Sequence, residues 1–229
     1  MAKIKYSGLV SEMRGKLNGG VLSRNRGGAY VRNKVTPLNP QTDAQVNVRN
    51  FFTTNSKAWR GLLQSVRNAW NSAVSGFIST DIFGDGLTPS GANLYQRINT
   101  NLLNINESVL TNPPTPAAVP SFLTFSVAID HSDGTAFLSF TDPIAVTEKV
   151  LLYATPGLSP GKAFAKNNFR LIGVLDNSFE TGDDAASLYI AKFGAIPAPG
   201  QKVFFKAKQI TISNGLNGAV SECFTIVVT

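Results

Sequence analysis

The stretch Thr111-Asn112-Pro113-Pro114-Thr115-Pro116-Ala117-Ala118-Val119-Pro120 separates two hydrophobic patterns. Apolar residues recur every three to four positions before it and every second position after it. Its four prolines fix φ and withhold backbone donors, so neither a helix nor a central strand is expected to run through it. Residues 111–120 read as a semi-rigid, extended linker. The same stretch divides the charge. Residues 1–110 carry 13 Lys/Arg against 5 Asp/Glu, and residues 111–229 carry 8 against 9, so the formal net charge of +7 comes wholly from the first part.

Beyond the linker, period-two segments predict strands at 123–129, 136–141, 150–155, 169–175, 187–193, 203–210 and 223–228. Asp133-Gly134, Asp142-Pro143, Ser159-Pro160-Gly161, Thr181-Gly182, Pro199-Gly200, Asn214-Gly215 and Asn217-Gly218 supply the turns between them. Seven short strands in residues 121–229 predict an antiparallel β-sandwich of immunoglobulin-like or fibronectin III-like kind. Its expected core includes Phe137, Phe140, Leu152, Leu171, Leu188, Ile190, Phe204 and Ile226.

Before the linker, Thr42 with Gln45 three positions on is a capping signature. Val48, Phe51, Phe52, Asn55, Trp59, Leu62, Leu63 and Val66 then follow at helical spacing, with a break near Gly61, and Trp70, Ala73, Val74 and Phe77 continue the stripe. Thr88-Pro89 offers an N-cap and a first-turn proline for a third helix carrying Leu94, Tyr95, Ile98, Leu102 and Ile105 on one face. Residues 42–110 therefore read as a small helical unit with Phe52, Trp59, Leu63, Trp70, Leu94 and Ile98 in its core. The class expected of the whole chain is α+β.

Residues 1–41 read as a basic, glycine-rich arm. Eight Lys/Arg face Glu12 alone within residues 1–34. Gly20–Arg24 and Ala29–Asn33 predict a β-hairpin about Asn25-Arg26-Gly27-Gly28, residues that tolerate positive φ. A lone hairpin is marginal in water, so this ribbon is expected to lie on a surface outside itself. Arg14, Lys16, Arg24, Arg26, Tyr30, Arg32 and Lys34 are its candidate contact residues.

The inventory of reactive groups argues against catalysis. One histidine, His131, lies in a turn-like Asp130-His131-Ser132-Asp133-Gly134, and one cysteine, Cys223, alternates with Phe224 as a small core residue. No Gly-x-Ser-x-Gly elbow and no phosphate-binding Gly-Lys-Ser/Thr loop occurs. Asp183-Asp184 reads as a solvated turn. No catalytic residue, metal site or cofactor is expected, and no apolar run approaches a membrane span. A leader-like apolar segment is also missing from the first residues, so a soluble product made in a cytoplasm is expected.

Gly15-Lys16-Leu17-Asn18-Gly19, the 26–32 run Arg-Gly-Gly-Ala-Tyr-Val-Arg, Pro37-Leu38-Asn39-Pro40-Gln41-Thr42, Gln45, Arg49, Phe52, Trp59, Arg67 and Trp70 together resemble a recurrent phage and prophage protein type. Ser90-Gly91-Ala92-Asn93-Leu94-Tyr95 and the proline-rich link are similar to features of Bacteroidetes-associated members, including those of crAss-like phages. The motifs cover roughly the first 115 residues. What the resemblance implies is a virion structural component with no catalytic residues, made in the cytoplasm of a bacterial host.

The first expectation is accordingly a phage structural subunit located in the virion. Its partners are other virion proteins and copies of itself, and its position is the tail or portal-vertex region ahead of capsid decoration. The basic arm could also touch packaged DNA, and a nucleic-acid-binding module is the alternative. A third reading is a glycan-binding adhesin using Tyr153, Phe164 or Tyr189. Neither a membrane nor a small-molecule substrate is expected.

Overall fold

Thr42 caps the first helix as its sequence suggests, its hydroxyl accepting from the Gln45 amide, and helix α1 runs over Asp43–Gly61. The chain straightens at Leu62 and Leu63, and α2 follows over Gln64–Ala73 with a 3₁₀ turn at Val74–Phe77. The computed structural model describes residues 2–36, 38–119, 125–165 and 167–229. Pro37 of the connector, Pro120 at the end of the linker, and the first two positions of the strand expected from Leu123 lie outside the described residues.

Ahead of α1 are β1 (Ala2–Ile4), β2 (Gly15–Leu17), β3 (Gly20–Asn25) and β4 (Gly28–Asn33), which form an antiparallel sheet in the order β1-β4-β3-β2. After α2, a short hairpin of β5 (Ser79–Thr80) and β6 (Gly86–Leu87) leads into α3 (Gly91–Asn104). The C-terminal part contains β7 (Ser126–Asp130), β8 (Thr135–Ser139), β9 (Glu148–Ala154), β10 (Arg170–Leu175), α4 (Ala186–Phe193), β11 (Lys202–Thr211) and β12 (Asn217–Ile226). A four-stranded antiparallel sheet takes the order β10-β9-β11-β12, and β7 pairs with β8. Among the described residues the fold is α+β with four α-helices and antiparallel sheets.

The four-stranded C-terminal sheet is covered on both faces at β9 and the adjoining end of β11, while Val220, Phe224 and Ile226 of β12 stay exposed. Val150, Leu152, Ala154, Val203, Phe205 and Ala207 point to the side of β7, β8 and α4, where Val127, Ile129, Leu138, Phe140 and Tyr189 complete one core. Leu151 and Ile210, on the other side, join Trp70, Phe77, Leu94, Tyr95, Ile98, Leu102 and Ile105 in a second core. The helices therefore pack directly on the sheet. The uninterrupted apolar run of β9 is what two-sided burial requires, since alternation suits a strand with one wet face.

Polar contacts fix this packing. The Trp70 indole donates to the Thr111 carbonyl at 2.7 Å, and Asn99, fully buried, accepts from the Leu110 amide at 2.7 Å while donating to the Leu110 carbonyl. Pro116 fills the space where a side chain at Gly76 would lie. Residues 111–119 thus carry no helix or strand but lie against the helical unit. Across to the sheet, Asn101 donates to the Gly215 carbonyl at 3.0 Å, and Lys149 bridges Glu107 at 2.6 Å and the Ile105 carbonyl. Lys208 donates to Asn101 at 3.2 Å in the same seam, and burial holds its ammonium below the ordinary lysine range.

Several sequence expectations need correction. Phe52 and Leu63, expected in the helical core, are 62% and 73% exposed. Trp70, Leu94 and Ile98 are fully buried and Trp59 is half-buried against Tyr95. Ser90 rather than Thr88 caps α3, accepting from the Asn93 amide. The strand expected at 187–193 is helix α4. Its buried positions Ala186 and Tyr189, with Phe193 packed beside them, are three and four apart, and Gly194 ends it with φ at 89°. Strand β8 turns Ala136, Leu138 and Phe140 inward, so Phe137 is exposed, as are Leu171, Ile190 and Ile226. Strands β1 and β2 extend the expected hairpin of the arm into a four-stranded sheet.

Gly215 tests the seam between helices and sheet. Its φ is 64°, and a β-carbon there would sit 2.8 Å from both Cγ2 and O of Ile98. Gly215→Ala is expected to lower the unfolding free energy by about 2–5 kcal/mol, combining left-handed strain with overpacking. Gly161→Ala, where an added carbon meets nothing within 4 Å, should change it by less than about 0.5 kcal/mol in the same urea titration. Equal effects at the two sites would refute the close contact.

Candidate functional site

No residue from Ala2 to Thr36 is buried, although four strands pair there. Successive side chains of a strand alternate between faces, and the register sorts them. One face carries the cross-strand rows Lys3-Tyr30-Ser23 and Arg32-Val21-Lys16. The opposite face carries Ala2-Val31-Leu22-Gly15, Ile4-Ala29-Arg24 and Asn33-Gly20-Leu17. The sheet is therefore cationic on one side and largely apolar on the other.

The seven candidate arm residues do not form one patch. Lys16, Tyr30 and Arg32 share the cationic face. Arg24 lies on the other face within 3.8 Å of Glu12, whose carboxylate also holds Arg14 at 2.7 Å. Arg26 occupies the two-residue turn between β3 and β4, and Lys34 follows β4, its amide donating to the Gly19 carbonyl at 2.8 Å. Asn18, at φ 47°, makes the tight turn from β2 to β3.

The arm touches the rest of the chain at one end. Lys3 donates to Asp81 at 2.7 Å, and Lys5 pairs with Asp85 at 2.9 Å while lying over the Phe83 ring. Gly27 comes close to Leu87. A hollow of about 430 Å³ at this junction is lined by Lys3, Arg26, Leu87, Pro89, Asn93 and Arg97, among others. Sequence reasoning missed this dock. Its signal was the pair of acids in Asp81-Ile82-Phe83-Gly84-Asp85, placed in an otherwise basic first half.

Helix α1 adds a second open surface. Nothing in residues 43–54 is buried, and only Phe51 among them is half-covered. Val48 is 58% exposed on the same side of the helix as Phe52, one turn away. Contact with α3 begins at Phe52, whose carbonyl accepts from Gln96 at 3.3 Å, and the first buried residue is Asn55, which donates to Thr100 at 3.2 Å.

The remaining candidate groups have structural partners. His131 is exposed, with Nδ1 2.9 Å from the Pro197 carbonyl oxygen. Burial pushes the Cys223 thiol up to about 12, and this side chain packs against the core that β7, β8 and α4 share with the C-terminal sheet. Asp184 is not a solvated acid: it accepts from the amides of Ala136 and Ala186 at 2.7 and 2.8 Å, joining β8 to α4. Tyr189 is buried and donates to the Thr155 carbonyl, and Tyr153 packs against the helical core, which leaves Phe164 as the one exposed aromatic of the three weighed for glycan. Among the described residues, no cluster of three or more His, Cys, Asp or Glu could hold a metal, and no helix is long and apolar enough to cross a membrane.

Comparison with protein-family models, curated proteins and solved structures finds no match for the chain.

The dock has a predictable pH dependence. The hydrogen bond from Lys3 holds the Asp81 carboxyl below its ordinary 3.8. The folded form thus binds its proton less readily than the unfolded one, so the stabilisation is complete above the ordinary value and lost as pH falls through the lowered one. Amide exchange protection in β1 and β4 should fall on acidification below about pH 4. Asp81→Asn should produce that loss already at neutral pH. Unchanged protection in this variant would show that the ion pair does not hold the arm.

Proposed function

We propose that the chain is a structural component of a bacteriophage particle that joins its neighbours through residues 2–34. The observation that carries this reading is an arm with paired strands and no buried residue. A sheet that buries nothing gains little from the hydrophobic effect, the main driving force of folding and association, until a partner covers it. The resemblance of its motifs to those of phage and prophage virion proteins supports the same reading, as does the scarcity of groups able to do chemistry. Partners in this reading are other virion proteins and copies of the chain itself, in the tail or portal-vertex region ahead of capsid decoration.

The C-terminal part fits such a role as an immunoglobulin-like or fibronectin III-like module. The sheet order β10-β9-β11-β12 supports this reading, in which those strands take the roles of C′, C, F and G, and β7 and β8 those of A and B. Helix α4 stands where strand E is expected. Asp184, immediately before it, still bridges to Phe137 of β8.

A second reading rests on the cationic face. Lys16, Arg32 and Tyr30 could meet nucleic acid, with Lys3 engaged by Asp81. Binding of this kind weakens linearly with log salt, by a slope of about 0.9 per phosphate contact on duplex DNA.

Deleting residues 2–34 should leave the body folded, because both cores lie entirely behind residue 50. Particles assembled with this truncated chain, purified and quantified by mass spectrometry, should lack it. Incorporation at the wild-type level would overturn the assembly role. A steep salt slope on short DNA duplexes, abolished by Lys16→Ala with Arg32→Ala, would instead favour the nucleic-acid reading.

A further inference from the structure

The hollow of about 430 Å³ between arm and body is lined by three cations, Lys3, Arg26 and Arg97, and by no carboxylate. Asp81, which does not line it, takes up the charge of Lys3 at 2.7 Å. Two positive charges are left over. Among the described residues neither arginine has a hydrogen-bond or ion-pair partner, and the Arg97 guanidinium lies over the Phe77 ring, 5.8 Å from its centre. Both side chains are exposed, so their N–H forks are open to a ligand.

We propose that this hollow binds the terminal phosphate of an organic phosphate monoester. The charges match. A monoester carries about −1.5 to −2 near neutral pH, which is what the two arginines leave unbalanced. A guanidinium presents paired donors that fit two phosphate oxygens at once. A carboxylate, or one phosphate of a nucleic-acid backbone, carries a single charge and leaves one arginine uncompensated. The space left beside a phosphate selects an ester over the free ion. A hollow of this volume is in the range of small-molecule sites, and Leu87 and Pro89 give its wall an apolar part against which the organic group lies.

The two arginines come from different parts of the chain, Arg26 from the turn between β3 and β4 and Arg97 from α3. Without an anion, like charges border one hollow and oppose the docking of the arm. With one bound, the same charges hold it. Phosphate binding and arm docking therefore favour each other by the same factor. The site lies within one copy of the chain and does not depend on the assembly role.

The test uses the full-length chain at about pH 8, where a monoester is fully ionised, and at constant ionic strength. The readout is the amide chemical shifts of Gly27, Asn93 and Arg97. Thymidine 5′-monophosphate should bind, inorganic phosphate should bind more weakly, and dimethyl phosphate, a singly charged diester, more weakly still. Arg26→Gln and Arg97→Gln, both folded by circular dichroism, should each weaken binding about tenfold or more. Lys57→Gln with Lys162→Gln removes two exposed cations that do not line the hollow and should leave binding unchanged. Saturating monophosphate should raise amide exchange protection in β1 and β4, and restore part of it in Asp81→Asn. The site is overturned if roughly 10 mM monophosphate, an excess over a millimolar dissociation constant, moves none of these amides. It is overturned equally if the two lysine substitutions weaken binding as much as the arginine ones. Binding of dimethyl phosphate or inorganic phosphate as tight as that of the monophosphate would overturn the monoester assignment.

Discussion

The constraint on which the body depends is the close approach of α3 to the β11–β12 turn. Ile98 and Leu102 rest on the backbone of Gly215, and Asn101 donates to its carbonyl. The approach is possible because position 215 has no side chain and accepts a positive φ. It lets the face of β9 and β11 bearing Leu151 and Ile210 close over Trp70 and Tyr95, so β9 is dry on both sides. The helical unit and the C-terminal sheet consequently share a core. The prolines between them contribute by filling the notch at Gly76 and by offering the Thr111 carbonyl to Trp70.

The arm is built on the opposite principle. Its strands satisfy their backbone groups, but its side chains enclose nothing, and two ion pairs with a glycine-to-leucine contact hold it to the body. Exposed pairs of this kind are weak, because water and salt screen them. Lys5 and Asp85 are both well exposed, and Asp81 is better shielded. A segment attached so weakly keeps its backbone order through cross-strand hydrogen bonds while its apolar face remains available.

Much of the body could be read from spacing. The α3 stripe of Leu94, Tyr95, Ile98, Leu102 and Ile105 was legible because a helix buried against one neighbour repeats every three to four residues, and the capping Thr42 was legible because caps are local chemistry. The reading failed where two periods fit one segment. Leu188 and Ile190 alternate like a strand, yet Ala186, Tyr189 and Phe193 follow the helical period that the structure uses. The paired alanines and Gly194 were the overlooked signals. Phe52 and Leu63 show another limit. Periodicity marks a stripe, and nothing in a sequence says how far a neighbour extends along it. In the arm, Lys16, Arg24 and Arg26 are close in sequence, but β-pleating and the turn send them to three different places.

The positions of the charges follow from these two ways of building. The body has a core on each side of its sheet and does not need a charged surface to define its shape, which agrees with only 15% charged residues in the chain. The arm has no core, and it carries most of the chain's excess of positive charge. Lys3 is common to both functions. Paired with Asp81, it ties the cationic face to the body at one end, and Leu17, Leu22 and Val31 lie on the opposite face. In the proposed assembly, a weak internal ion pair therefore holds the arm while its apolar side chains still lack a cover.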